Sequence, residues 1–273
     1  MKESALTQSD LRKEIVDHLK QTKKYQYLCE DALYRVAEWA QSRHPSLKAA
    51  TKAAKRKLHQ VYGAYLDQAD LTRAAELVDG LEGDVSESHL EQTCSKILKC
   101  HASTAERLPI LADFYPALFR MVGIPATLLD LACGLNPFAL PWMALKRSTE
   151  YIAVDVDERL TSLIDRFFGR MGQPARVKCG DILTGCPDPG SDMVLLLKTI
   201  PILEQQKKGS GLDLLKRLES EIVVVSFPAQ SLGGREKGMG SYYESAMKGI
   251  LAELRVGVRK MAYPGETFYV LEG

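Results

Sequence analysis

No apolar run in this 273-residue sequence approaches the length needed to cross a bilayer. The N-terminal stretch MKESALTQSDLRKEIVDHL also lacks the apolar core of a secretion signal. The expected setting is cytoplasmic, with no membrane partner. The six cysteines (Cys29, Cys94, Cys100, Cys133, Cys179, Cys186) include no C-x-x-C pair, which fits free thiols in a reducing compartment. Cys94, Cys100 and His101 come nearest to a metal cluster. A fourth ligand at workable spacing is missing, so no metal is expected. An excess of one charge is missing too: 36 Lys and Arg face 35 Asp and Glu, a net charge of +1. Any nucleic-acid affinity must then come from a local patch rather than from the field of the whole molecule.

Glycine is scarce where a nucleotide-binding loop would need it. TLLDLACGLNPFALP (127–141) opens as a buried strand running into a turn, yet the turn contains only Gly134. A dinucleotide or nucleoside triphosphate site needs several spaced glycines or a P-loop lysine, so that backbone N–H groups can cradle phosphate. Their absence leaves an adenosine-type ligand without phosphate. Asn136-Pro137 reads as a rigid helix start, Asn as N-cap and Pro at the first helical position. The Asn-Pro motif by which amino-group methyltransferases hold an exocyclic amine would follow the fourth strand, which here ends LLLKTIP.

What is present falls into two patterns. From about Leu11 to Phe119 apolar residues recur at helical spacing; Leu47, Thr51, Ala54, Leu58, Val61 and Tyr65 form one stripe. After Pro125, short apolar runs rich in β-branched residues, at 127–132, 150–156, 175–181, 192–198, 221–227 and 267–272, alternate with helical patterns near 158–171, 204–218 and 241–254. Such alternation predicts a parallel sheet covered on both faces. The expected organisation is an all-helical N-terminal domain (1–109) followed by a Rossmann-like α/β domain (110–273). No internal repeat or low-complexity segment is evident.

In an open α/β sheet the ligand lies at the carboxyl ends of the strands, near the point where strand order reverses. The first strand ends at Asp130 before the turn Ala132-Cys133-Gly134, the second at Asp155, the third at Gly180-Asp181. A carboxylate closing the second strand suits both ribose hydroxyls, and three acids make a favourable field for a sulfonium. S-adenosylmethionine fits this pattern. Any one of these acids alone would more often be a helix cap.

Several longer segments carry a family resemblance: KLHQVYGAYL (57–66), HASTAERL (101–108), LDLACGLNPFALPWM (129–143), LLLKTIPILEQQKKGSG (195–211) and VVVSFPAQSLGGREKGM (223–239). In these the chain resembles the aminoglycoside-resistance 16S ribosomal RNA methyltransferases, the Arm/Rmt and Kgm/Sgm group. HASTAERL and SLGGREKGM are particular to that family. The resemblance implies a class I S-adenosylmethionine-dependent methyltransferase acting on N7 of guanosine 1405 in the decoding site (helix 44) of the 30S subunit. The N-terminal helical domain would dock on the subunit.

On matching positions, the resemblance implies a cofactor site lined by Tyr62, Ser103, Arg107, Ala132, Gly134, Asp155, Val156, Asp181, Ile182, Leu197 and Gln206. Arg107 would pair the cofactor carboxylate. Lys198, Glu204 and Glu266 would position the target base. The chain departs from the family at GSYYESAMKG after Met239 and at GETFYV near the C-terminus. Guanine N7 carries a lone pair and no proton, so no general base is required, which agrees with the missing amine-holding motif.

Six basic residues and no acid lie between Arg43 and Leu66: Arg43, Lys48, Lys52, Lys55, Arg56 and Lys57. Such a run is by itself as consistent with a solvated helix face as with phosphate contacts. Arg235 and Lys237, on the glycine-flexed SLGGREKGM loop, are placed to grip a flipped nucleotide's backbone. A small-molecule methyltransferase with a helical lid and a cofactor-binding protein without activity are the competing readings. The basic run argues against the former; intact Asp155, Asp181 and Arg107 argue against the latter.

Overall fold

In the computed structural model, residues 8–62, 68–81, 85–185, 190–228 and 239–273 are described. Three helices come first: α1 (Gln8–Lys20), α2 (Glu30–Gln41) and α3 (Leu47–Tyr62). The Ser46 hydroxyl accepts from Ala49 N at 3.3 Å at the start of α3, and no Gly or Pro interrupts the helix. Thr51, Ala54, Leu58 and Val61 of its stripe are buried, while Tyr65 lies outside the described residues. The three helices enclose a core of their own around Ile15, Leu19, Leu33, Val36, Ala54 and Leu58, with Val156 packed at its edge. The alanines let the helix axes approach closely.

The next helices are α4 (Gln68–Asp79), α5 (Glu87–Leu98), α6 (Ala102–Arg107) and α7 (Leu111–Val122). Unlike α1–α3, they share a core with the sheet: Val78, Ile97, Phe114 and Leu118 belong to one apolar cluster with Leu128, Tyr151, Leu195 and Phe268. Phe114 stacks on Phe268 at 3.9 Å between ring centroids. The boundary expected at 109/110 falls within the 3-10 turn Leu108–Ile110, between α6 and α7.

The sheet has seven strands: β1 (Thr127–Leu131), β2 (Glu150–Asp155), β3 (Ala175–Cys179), β4 (Met193–Leu197), β5 (Ile222–Pro228), β6 (Gly257–Tyr263) and β7 (Glu266–Glu272). Their order is β3-β2-β1-β4-β5-β7-β6. β1 to β5 pair in parallel, with strand order reversing between β1 and β4. The remaining helices are α8 (Leu140–Met143), α9 (Glu158–Met171), α10 (Ile200–Gln206), α11 (Ser210–Leu215) and α12 (Met239–Leu254). Alternate strand residues face opposite layers: Leu128 and Tyr151 face the cluster of α4–α9, whereas Leu129, Ile152 and Val194 face that of α10–α12.

Two features depart from the sequence expectation. The sheet is mixed rather than wholly parallel, because β7 inserts antiparallel between β5 and the unforeseen β6. Pro264-Gly265, with Gly265 at φ +84°, makes the tight turn that reverses the chain. The helix expected over 204–218 is two short helices, broken at Gly209 (φ +85°). No helix among the described residues is long and apolar enough to cross a membrane.

Candidate cofactor and target site

The carboxyl ends of β1, β2 and β4 meet at the reversal in strand order, and the backbone there is bent to suit. Ala132 and Gly134 take left-handed conformations, φ +52° and +53°, so the chain leaves β1 in a sharp turn. Open space surrounds the position a Gly134 Cβ would take, so it is the dihedral that glycine serves. Gly134 N donates to Asp155 Oδ2 at 3.0 Å, and Val156 N to Asp155 Oδ1 at 2.8 Å. Burial raises the Asp155 pKa, opposed by these donors. Asp155 is therefore a fixed carboxylate at the end of β2. The helix-capping role falls to Asp157 instead, which accepts from Arg159 N at 2.9 Å.

Asp181, buried beyond the end of β3, accepts from Leu183 N at 3.0 Å and from Arg35 Nε at 2.6 Å. The same arginine donates to Gln206 Oε1 at 2.7 Å and to the Tyr62 hydroxyl at 3.3 Å. A cleft along the ends of β2 and β3 is lined by Asp31, Val154, Gly180, Asp181, Ile182 and Thr184. Val156 is half-buried beside Asp155, and Leu197 is half-buried at the end of β4.

A second group lies under the turn. Arg107 is almost wholly buried, as is its partner Glu266 (side chains 3% and 1% exposed). Nε donates to both Glu266 oxygens (3.2 and 3.1 Å), Nη2 to Oε1 at 2.7 Å, and Nη1 to Asn136 Oδ1 at 3.1 Å. Burial works against the guanidinium charge, but Glu266 outweighs it and the Arg107 pKa is raised. Ser226 donates to Glu266 Oε1 at 2.5 Å, and Tyr115 to Asn136 Oδ1 at 2.9 Å. Asn136 Nδ2 and the Tyr151 hydroxyl donate to Asp130 Oδ2, at 2.8 and 2.6 Å. Burial lifts Asp130 to about 6, opposed by Tyr151 and Asn136. Asp130 thus faces the core rather than standing in the open cleft.

The segment HASTAERL explains how α6 reaches this group. Thr104 Oγ1 donates to Leu98 O at 2.6 Å and fixes the helix; His101 Nδ1 lies 2.8 Å from Ser103 Oγ. Four-residue spacing puts Ser103 and Arg107 on one face. Lys198, at φ +56° just past β4, is in a conformation that costs a non-glycine residue energy. Its ammonium donates to Glu106 at 2.7 Å and Ser103 O at 3.3 Å and lies 3.4 Å from Glu266.

The structure therefore brings together Ser103, Arg107, Lys198 and Glu266 in one cluster, and Tyr62, Asp181 and Gln206 in another, with Asp155 at the turn. It does not bring Glu204 in: its oxygens accept from Gly209 N and Gly211 N, both at 2.8 Å, bracing the α10–α11 junction. Asn136 is not the N-cap that the sequence suggested. It follows the cap residue Leu135, and its side chain is buried between Asp130 and Arg107. Arg35, Tyr115 and Ser226 hydrogen-bond members of these clusters without any sequence signal, since their partners are remote in the chain.

On α3, Lys48, Lys52 and Arg56 are exposed and Lys55 is half-buried. Arg43 lies 4.9 Å from the centroid of the Trp39 ring. Lys57 turns inward, donating to Gln205 O and Gln206 O at 3.2 Å each. Arg235 and Lys237 lie outside the described residues. No group of three or more His, Cys, Asp or Glu among the described residues could hold a metal.

Residues 21–263 match the family described as ribosomal RNA methyltransferase (FmrO). The 16S rRNA (guanine(1405)-N(7))-methyltransferase of Micromonospora echinospora is 40% identical over 225 residues, 82% of each chain. That of Micromonospora rosea is 36% identical over 264 residues, 94% of this chain and 96% of the relative. Among solved structures, 16S rRNA methyltransferase RmtF in complex with S-adenosyl-L-homocysteine superposes with a TM-score of 0.83 at 31% identity, covering 96% of this chain and 98% of that one. The 16S rRNA methylase RmtB gives 0.80 at 28% identity, covering 96% and 98%.

Proposed function

Because the chain belongs to the FmrO family of ribosomal RNA methyltransferases, we propose that it methylates N7 of guanosine 1405 of 16S rRNA within the 30S decoding site. The observation that carries this reading is that the likeness runs through helices and sheet alike, over residues 21–263. S-adenosylmethionine, when bound, supplies an electrophilic methyl group on a positively charged sulfur. The residues present fit it: a fixed carboxylate (Asp155) beside a bare glycine turn, a second carboxylate (Asp181) beyond the end of the neighbouring strand, and a buried guanidinium for an anionic end. Nη1 and Nη2 of Arg107 each bear two N–H groups, so donors remain beyond those given to the described residues for a ligand carboxylate.

The work left to the protein is placement. N7 needs no deprotonation, so the rate comes from holding the base in line with the methyl group and excluding water. Lys198 and Glu266 would form the polar floor where the base enters, with the Lys198 ammonium 3.4 Å from the Glu266 carboxylate. The exposed cations of α3 would contact helix 44 phosphates. Glu substitution at Lys52 and Lys55 together is expected to weaken 30S binding and to lower the salt dependence by about one counterion per lost contact, leaving cofactor affinity intact. Unchanged 30S binding at low salt would reduce this face to solvated surface.

N7-methylation puts a fixed positive charge on guanine and removes its Hoogsteen acceptor. Aminoglycosides with a 4,6-disubstituted deoxystreptamine core present a ring to that edge and would lose a hydrogen bond there while meeting a like charge. Cells making this protein are expected to resist gentamicin, kanamycin and amikacin and to remain sensitive to apramycin. Their 16S rRNA should be cleaved by borohydride and aniline at one decoding-site 7-methylguanosine. Apramycin resistance without that cleavage would point to a neighbouring adenosine and overturn the reading.

A further inference from the structure

Arg35 lies near the middle of α2, outside the five sequence segments that suggested the resemblance, yet its half-buried guanidinium joins three elements. It donates to Asp181 beyond β3, to Gln206 at the end of α10 and to Tyr62 at the end of α3. These are three side chains assigned to the cofactor site. No other described side chain donates to Asp181, and its second oxygen is held by Leu183 N.

The surrounding contacts run in the same direction. Cys29 N, at the entrance to α2, donates to Val156 O at 2.8 Å, and Glu158 N donates to Tyr27 O at 2.9 Å. The chain entering α2 is thereby stitched to the loop that follows Asp155. Lys57 of α3 holds the carbonyl end of α10 beside Gln206. A single helix, α3, thus exposes Lys48 and Lys52 on one side and contributes Tyr62 and Lys57 to the cofactor edge on the other.

We propose that Arg35 is a positioning residue that fixes Asp181, Gln206 and Tyr62 for the adenosine end of the cofactor, and that through it cofactor occupancy and the seating of α2 and α3 on the 30S subunit strengthen each other. This rests on the reading of α3 as the docking helix. The guanidinium suits the task because its donors are held in one rigid, planar fork; a lysine ammonium has three donors but concentrates them on one atom and cannot hold the three partners in that arrangement. Without Arg35 the three side chains must be ordered at the moment the cofactor binds, and that cost appears as lost affinity. Coupling between two binding equilibria is reciprocal, so the cofactor must tighten 30S binding by the factor by which 30S tightens the cofactor.

The test is calorimetric titration with S-adenosylhomocysteine of the wild type, Arg35→Lys and Arg35→Met, each alone and with purified 30S subunits, after melting curves have identified folded variants. In the wild type, 30S should raise affinity for S-adenosylhomocysteine about tenfold. Arg35→Met should lose about tenfold in affinity without 30S and most of the 30S enhancement. In turnover, KM for the methyl donor should rise while kcat at saturation stays within about twofold, a split that general destabilisation would not give. Arg35→Lys should fall between the two, and it carries the test if Arg35→Met does not fold. Full recovery with Arg35→Lys, or an undiminished enhancement in the folded variants, overturns the inference. A wild type that binds both partners without coupling overturns it while sparing the proposed function. A wild type that cannot bind 30S at all defeats both.

Discussion

Glu266→Ala is expected to destabilise the fold by about 3–5 kcal/mol, because it leaves the buried Arg107 guanidinium without its counter-charge. At the midpoint this corresponds to a fall in Tm of about 6–20 °C for a domain of this size. Both side chains are almost wholly buried, so water cannot take over the lost bonds, and Asn136 Oδ1 alone cannot neutralise a full charge. Ser226 also loses its acceptor. The partner experiment separates structure from chemistry. Arg107→Met combined with Glu266→Met removes both charges and fills similar space, and should regain most of the stability lost by Glu266→Ala. It should not regain binding of S-adenosylhomocysteine, since the guanidinium proposed to meet the ligand's carboxylate is gone. A Glu266→Ala protein that melts with the wild type would show that the pair is not what holds β7 to α6.

Asp155→Ala is expected to lower cofactor affinity by about 2–4 kcal/mol, roughly 30- to 800-fold, through loss of charge-assisted bonds to the two ribose hydroxyls. The change also frees Gly134 N and Val156 N, which now converge on the carboxylate, so the turn itself should loosen. Calorimetry with S-adenosylhomocysteine reads the first effect and melting the second. Near wild-type affinity would remove Asp155 from the ribose position.

Much of the sheet was legible because its inner strands are buried on both faces and read as short, nearly continuous apolar runs. TLLDL, MVLLL and IVVVSF announce themselves in that way. β6, Gly257–Tyr263, did not. It is the edge strand, mostly exposed, with Arg259 and Lys260 outward, and nothing local distinguishes it from a polar loop. Its partner β7 was seen, but an antiparallel insertion between β5 and β6 is set by the Pro264-Gly265 turn and by packing of Phe268 on Phe114, not by hydrophobic pattern.

At the site, the fixed strand-end acids Asp155 and Asp181 were readable from position alone. Asn136 was misread because Asn before Pro at a helix start has a common local explanation, and the buried donors and acceptors that claim its amide come from Tyr115, Asp130 and Arg107. Arg35 left no trace at all: Asp181 lies 146 residues away and Gln206 lies 171 away. A side chain whose meaning is entirely tertiary cannot be seen in a helical pattern that merely tolerates it.

The place of β7 in the sheet has a consequence for how the protein is made. Synthesis runs from the N-terminus, about 5–20 residues each second, and earlier segments fold first. β7 is the last strand to be translated, yet it lies between β5 and β6 and delivers Glu266 to Arg107, 159 residues earlier in the chain. Until Glu266–Glu272 have left the exit tunnel, β5 lacks its antiparallel neighbour and Arg107 its counter-ion. A nascent chain that has folded everything before β7 therefore still carries a buried arginine without its carboxylate partner and a sheet edge without its covering strand.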